Sequence, residues 1–225
     1  MKYIKLFENF EDYDPYGLIL IPPQKKGEMI IAELDEDEPN LNFIKDLITM
    51  GADMEVQDEE GETILHRCVA HNLIDIIDTL INAGIDLNVR DAEGYTALYK
   101  AITSNEEDIA KTLIQAGADV NISDNMHSGW SALHSAAWDY NPLFIEMLIG
   151  AGADVNMQDE VGCTPLHELA KRSRFDDIED WGLEDMLIAA NMLIDAGANL
   201  TIEDNKGKLP YDYAKFAELK NILKP

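Results

Sequence analysis

The chain is short of several things that would decide its class at once. Of its 225 residues only two, Cys68 and Cys163, are cysteine, so a disulfide framework is not expected and a reducing, cytoplasmic setting is. Apolar runs are short. None reaches the ~18–20 residues that span a bilayer, and Leu18 to Ile21, the longest near the start, falls well below a secretory signal. Basic residues are scarce: 17 Lys and Arg stand against 44 Asp and Glu, a formal charge of −27. That balance argues against direct nucleic-acid binding and against an anionic membrane surface, both of which need surplus positive charge. Between Thr112 and Ala170 there is no Lys or Arg, but there are eight Asp or Glu. Also missing are a phosphate-cradling glycine loop, a Cys-x-x-Cys pair and a His-Glu-x-x-His helix, so no cofactor, metal ligand set or catalytic residue is expected. What remains is 46% apolar, too rich for an acidic disordered tail and enough for a core.

Self-similarity organises that remainder. The run Asp58-Glu-Glu-Gly61-Glu-Thr63-Ile-Leu65-His66 returns as Asp91-Ala-Glu-Gly94-Tyr-Thr96-Ala-Leu98-Tyr99, then as Gly129-Trp-Ser131-Ala-Leu133-His134 and Asp159-Glu-Val-Gly162-Cys-Thr164-Pro165-Leu166-His167. A worn copy runs from Asp204 to Asp212. A second marker, Gly51-Ala-Asp53, Gly84-Ile-Asp86-Leu-Asn88, Gly117-Ala-Asp119-Val-Asn121, Gly152-Ala-Asp154-Val-Asn156 and Gly197-Ala-Asn199-Leu200, keeps step with the first. The first glycine series is spaced 33, 35, 33 and 45 residues apart, and the second 33, 33, 35 and 45. Both series therefore place two added residues before Gly129 and twelve between Ala170 and Gly197. A fixed period of this length marks stacked units, none of which can bury its apolar face alone. Pairs such as Ile76-Ile77/Leu80-Ile81 and Phe144-Ile145/Leu148-Ile149, four apart, predict one buried helical face per unit.

These markers, with Thr164-Pro165-Leu166-His167 and Gly152-Ala-Asp-Val-Asn156 the best matches, make the chain resemble the ankyrin repeat family over residues 27–225. Ile64, Ala97 and Ala132 depart from the family proline, and Tyr99 departs from its histidine. The resemblance implies an all-α solenoid of helix-turn-helix units with short turn fingers. The expected order is an N-terminal arm (1–26) packed on the first unit and covering Phe7, Phe10 and Leu20, then a degenerate N-capping repeat (27–57). Repeats follow at 58–90, 91–123, 124–158 with the two-residue finger insertion and 159–203 with the twelve-residue insertion, before a C-capping repeat at 204–225. In the family the histidine of the motif, here His66, His134 and His167, bonds neighbouring turn backbone. Asn88, Asn121 and Asn156 stand at a loop asparagine that brace turns and that is hydroxylated in some ankyrin proteins.

The resemblance further implies binding of another macromolecule through turn tips and a concave face, without catalysis. Carried over to the variable positions, the contact residues are Glu59, Glu60, Glu62 and His71, then Glu93 and Tyr95, then His127, Trp130, Trp138 and Asp139. Tyr95 and Trp130 hold equivalent sites one unit apart. Cys163, Lys171 and Arg172 fall at variable sites of the next unit. The insertion adds Phe175 and Trp181, which either meet a partner or extend and bury a second helix. Cys163, beside Asp159 and Glu160, is read as a poor nucleophile because negative charge holds a thiol protonated. The partner expected is a protein with a basic surface, met by a chain that is monomeric on its own. The alternative is an acidic mimic of nucleic acid that blocks a DNA- or RNA-binding protein.

Overall fold

The structure, a computed structural model, describes residues 20–124, 129–172 and 180–225, with the side chains of Asp180 and Trp181 left aside. Among the described residues the regular structure is helical, and the β pairing consists of two isolated bridges, Gln57 with Thr63 and Ser123 with Ser131. The chain forms two compact units, residues 1–92 and 93–225.

In the first unit, α1 (Pro23–Leu34) and α2 (Leu41–Thr49) form one helix pair, and α3 (Ile64–Ala70) and α4 (Ile74–Asn82) the next. Pro23 enters α1 at its first turn, where a missing amide proton costs nothing. The first helix therefore begins inside the segment assigned to the arm. Leu20, expected to be covered, is 71% exposed, because the chain turns into the helix just after it and only Ile21 is buried. Phe7 and Phe10 lie outside the described residues. Helices α1 and α3 pack in one layer, α2 and α4 in the other. Between them Ile30, Leu34, Ile44, Leu47, Ile76, Ile77 and Leu80 lose all solvent contact.

The second unit repeats this four times. Its first layer holds α5 (Ala97–Thr103), α7 (Ala132–Trp138), α9 (Pro165–Arg172) and α11 (Pro210–Tyr213). Its second layer holds α6 (Glu107–Gln115), α8 (Pro142–Gly150), α10 (Asp180–Asp195) and α12 (Ala217–Ile222). Helix α10 has 16 residues where α6 and α8 have nine, so part of the inserted sequence is wound into it. Of the positions that the four-residue spacing predicts, Phe144, Ile145 and Leu148 of α8 are buried, as are Ile76, Ile77 and Leu80 of α4, while Ile149 and Ile81 at the edge of each face are only half-buried. Leu166, Leu169 and Ala170 of α9 are buried as well.

The threonine–histidine signature is the local device that starts the first-layer helices. Oγ1 of Thr164 lies 2.9 Å from Nδ1 of His167, and the same ring nitrogen accepts the Thr164 amide at 3.1 Å. Ser131 and His134 reproduce this at 2.8 and 3.1 Å, Thr63 and His66 at 2.9 and 3.2 Å. An Nδ1 that accepts leaves the proton on Nε2. That nitrogen then donates to the following unit: His134 to the Cys163 carbonyl at 3.0 Å and His167 to the Lys208 carbonyl at 3.1 Å. Burial lowers the pKa of both rings, so they work as neutral braces between repeats. Where Tyr99 replaces histidine, the Thr96 hydroxyl caps α5 directly, accepting the Tyr99 amide at 3.2 Å.

The two glycine series carry different strain. Gly152 (φ +89°) closes α8 with its amide on the Ile149 carbonyl, and a Cβ there would meet nothing within 4 Å. Gly162 (φ +82°) sits in the turn held by Asp159, where a Cβ would lie 2.8 Å from both the amide nitrogen and Oδ1 of Asn205. Gly152→Ala is expected to cost only the left-handed strain, about 1–2 kcal/mol. Gly162→Ala should cost more, since backbone of the next repeat must also move. Paired urea titrations check the order, and equal midpoints would show that the tip yields freely.

Candidate partner-binding face

Three of the turn tips are each built by an aspartate. Oδ1 of Asp58 accepts the amides of Glu60 and Glu62 at 3.1 and 2.8 Å, and Asp159 and Asp204 hold their own turns in the same way. Neighbouring tips are tied by backbone bonds, from the Ala92 amide to the Glu60 carbonyl and from the Asn205 amide to the Val161 carbonyl, both 3.0 Å. Two of the loop asparagines brace the following repeat: Asn121 Oδ1 accepts the Asp154 amide at 2.8 Å, and Asn156 Oδ1 the Asn199 amide at 2.7 Å. The tips are therefore rigid mounts for the residues between them.

In the first unit those residues are acidic. Glu59 and Glu60 are exposed at the tip, and His71 is exposed where α3 ends. Glu62 is less available, for it is partly buried and lies 3.3 Å from Arg67. The Arg67 guanidinium also contacts Asp35 and stands 3.8 Å from Asp58, so one cation serves three carboxylates.

The second unit carries the aromatic groups. Trp130, at a tip, and Trp138, ending α7, are both partly exposed and pack together with centroids 5.6 Å apart and planes inclined at 52°. Trp130 also stacks on the buried His134 ring at 6.4 Å, so the tip ring is seated on the brace beneath it. The Arg172 guanidinium, from the end of α9, lies over Trp138 at 5.4 Å. Asp139 follows in the exposed turn, its carboxyl raised by partial burial with Arg172 opposing. Tyr95 stacks on Tyr99 of its own repeat, centroids 4.8 Å apart and nearly parallel, with Glu93 exposed beside it. The aromatic sites thus form two intimate pairs, Tyr95 with Tyr99 and Trp130 with Trp138. His127 and Phe175 lie outside the described residues, as does the Trp181 side chain.

Beneath this face is a polar cluster that composition did not announce. Glu168 is buried, and its Oε1 lies 2.5 Å from the ammonium of Lys171. Donor atoms of Asp159, Cys163 and Glu168 fall within 4.8 Å of one another. The lysine already supplies positive charge there, and it also lies 5.5 Å over the Tyr213 ring. Cys163 is not a contact residue. It is 1% exposed, and burial first, with the Asp159 and Glu168 carboxylates adding to it and Lys171 opposing, raises its thiol to about 11, which makes it a poor nucleophile. Cys68 is likewise buried and raised to about 12. The Tyr213 hydroxyl donates to Asp204 Oδ2 at 2.5 Å. Against the burial that would raise it, that bond and the Lys208 and Lys206 amides hold the Asp204 carboxyl at about 2.

Comparison with known proteins places these features in a family. Residues 29–124 match the sequence model described as "Ankyrin repeats (3 copies)", and residues 128–160 match that of the single ankyrin repeat. Curated proteins gave no match. Among solved structures, the ankyrin repeat domain of Bcl-3, described as a unique member of the IκB protein family, aligns with a TM-score of 0.74 and 23% identity over 100% of this chain and 91% of that one. An ankyrin repeat domain from Acinetobacter baumannii AYE aligns with a TM-score of 0.74 and 25% identity over 87% of this chain and 95% of that one. The first of these likenesses is one of fold alone.

Proposed function

The chain belongs to the ankyrin repeat family, whose members generally serve as protein–protein interaction modules, and we propose that it acts, without catalysis of its own, by binding a protein with a basic surface. The observation that carries this reading is the Trp130–Trp138 pair. Two large rings remain partly exposed on the layer of first helices, where a soluble surface gains nothing from them. Tryptophan at such a site is the residue type that most often anchors an interface. Charge selects the partner's sign: no Lys or Arg occurs from Thr112 to Ala170, Glu93 and Asp139 are exposed in the unit that carries the rings, and Glu59 and Glu60 are exposed at a tip of the first unit. A field of one sign speeds encounter with the opposite one and disfavours DNA itself. Both cysteines are unbridged and buried, which suits work inside the cell by a chain that is monomeric until its partner arrives.

The test is capture from native lysate with the full chain, read by mass spectrometry at low and moderate salt. Basic proteins that are retained at low salt and lost from a Glu59→Lys/Glu60→Lys bait support the reading. Acidic proteins retained at moderate salt, with no effect of the charge reversal, defeat it. Competition by duplex DNA for the captured protein would instead favour the nucleic-acid mimic.

A further inference from the structure

The geometry points to an arginine side chain of the partner as the group that seats on the Trp130–Trp138 pair. This inference rests on the protein-binding reading and narrows it to one chemistry. Arg172 shows that the site accepts a guanidinium, since its own lies over the Trp138 ring at 5.4 Å. A planar, weakly hydrated guanidinium gains more from an indole face than a compact, strongly hydrated ammonium does. The two indoles are inclined at 52°, so they do not close on each other as a parallel sandwich. Trp130 is steadied from below by the neutral His134 ring, which adds no competing positive charge to the site.

The electrostatic setting agrees. Asp139 is exposed next to Trp138, and a carboxylate beside an indole can receive the guanidinium N–H groups while the ring takes its face. The guanidinium that lies over Trp138 is that of Arg172, placed at the last residue of α9 and only partly exposed. Arg172 thereby acts as an internal stand-in that the partner's arginine displaces or joins. A competing internal group weakens the external one in proportion to its occupancy.

Two acetylated, amidated hexapeptides serve as probes on the full chain: one with two arginines among glycines and serines, and its lysine counterpart. Indole fluorescence and NMR of the tryptophan ring N–H groups read the titrations at two salt concentrations. The arginine peptide is expected to bind about fivefold more tightly than the lysine peptide. Arg172→Ala should strengthen arginine-peptide binding severalfold while leaving the melting temperature nearly unchanged. Trp138→Phe, which keeps the packing, should weaken it. Equal binding of the two peptides, or an Arg172→Ala variant that binds the arginine peptide less well, overturns the inference. If neither peptide binds but a basic protein is still captured in a Trp-dependent way, the arginine inference fails while the interaction reading stands. If no partner is captured, the interaction reading itself fails.

Discussion

With both Trp130 and Trp138 replaced by alanine, affinity for a captured partner is expected to fall by about 3 kcal/mol, more than a hundredfold. The helical fold should survive. The ground for separating the two effects is where each residue of α7 points. Leu133, Ala136 and Ala137 are buried and carry its packing, whereas both indoles are only partly covered, Trp130 packing on Trp138 and the His134 ring and Trp138 on Trp130 and the Arg172 guanidinium. Losing them removes partly exposed area, which costs stability far less than opening a core cavity does. Circular dichroism and binding measured on the same preparation check this. Retained helicity with lost binding agrees with the anchor role. Collapse of the fold at 25 °C, rescued by the Trp130→Phe/Trp138→Phe variant without loss of affinity, would mean that the rings only cover the core.

Much of the architecture is legible in the sequence because each repeat solves the same local problems with the same residues. A helix must be closed by a left-handed residue, as at Gly152, and the next one opened by a hydroxyl and an imidazole, as at Thr164 and His167. Those requirements act over a few residues, so their spacing can be counted directly. The acidic tips are legible for the same reason, because Asp58, Asp159 and Asp204 each hold a turn through neighbours no more than four residues on.

What could not be read is the set of contacts that join positions about 30 residues apart. Arg172 reaches Trp138 from the following repeat, and Tyr140, at the end of α7 with φ +52°, sends its hydroxyl to the Leu169 carbonyl at 3.3 Å. Tyr95 and Trp130 are equivalent by register, yet each finds its close ring partner within its own repeat, because residues four or eight apart across a tip and the following helix share one face. Cys163 stands at a variable position of the turn, but its tip folds inward and the thiol is lost to solvent. The Glu168–Lys171 pair is legible only as a three-residue helical spacing. Its burial, which decides its energetics, comes from the next repeat closing over it.

That burial sets up the second large effect. Lys171→Ala is expected to destabilise the second unit by about 3 kcal/mol at pH 8, since it strands a carboxylate that was neutralised inside the protein. Lys171 is held charged, its pKa raised by Cys163 and Glu168 in spite of burial, whereas Glu168 is raised by burial even with the lysine opposing. A carboxyl raised in the folded state adds stability below its unfolded pKa and loses that contribution as pH rises through the folded value. Removing the lysine lifts the Glu168 pKa further, so the variant's deficit should be largest at pH 8 and shrink as the pH is lowered to 5, because protonation of the carboxyl removes the charge that burial penalises. The double variant Lys171→Ala/Glu168→Gln should recover most of the loss at pH 8 and show little of this dependence. Urea unfolding followed by indole fluorescence at the two pH values measures all three. A deficit that is the same at pH 5 and pH 8 would assign the loss to the lysine's contact with the Tyr213 ring rather than to the stranded charge.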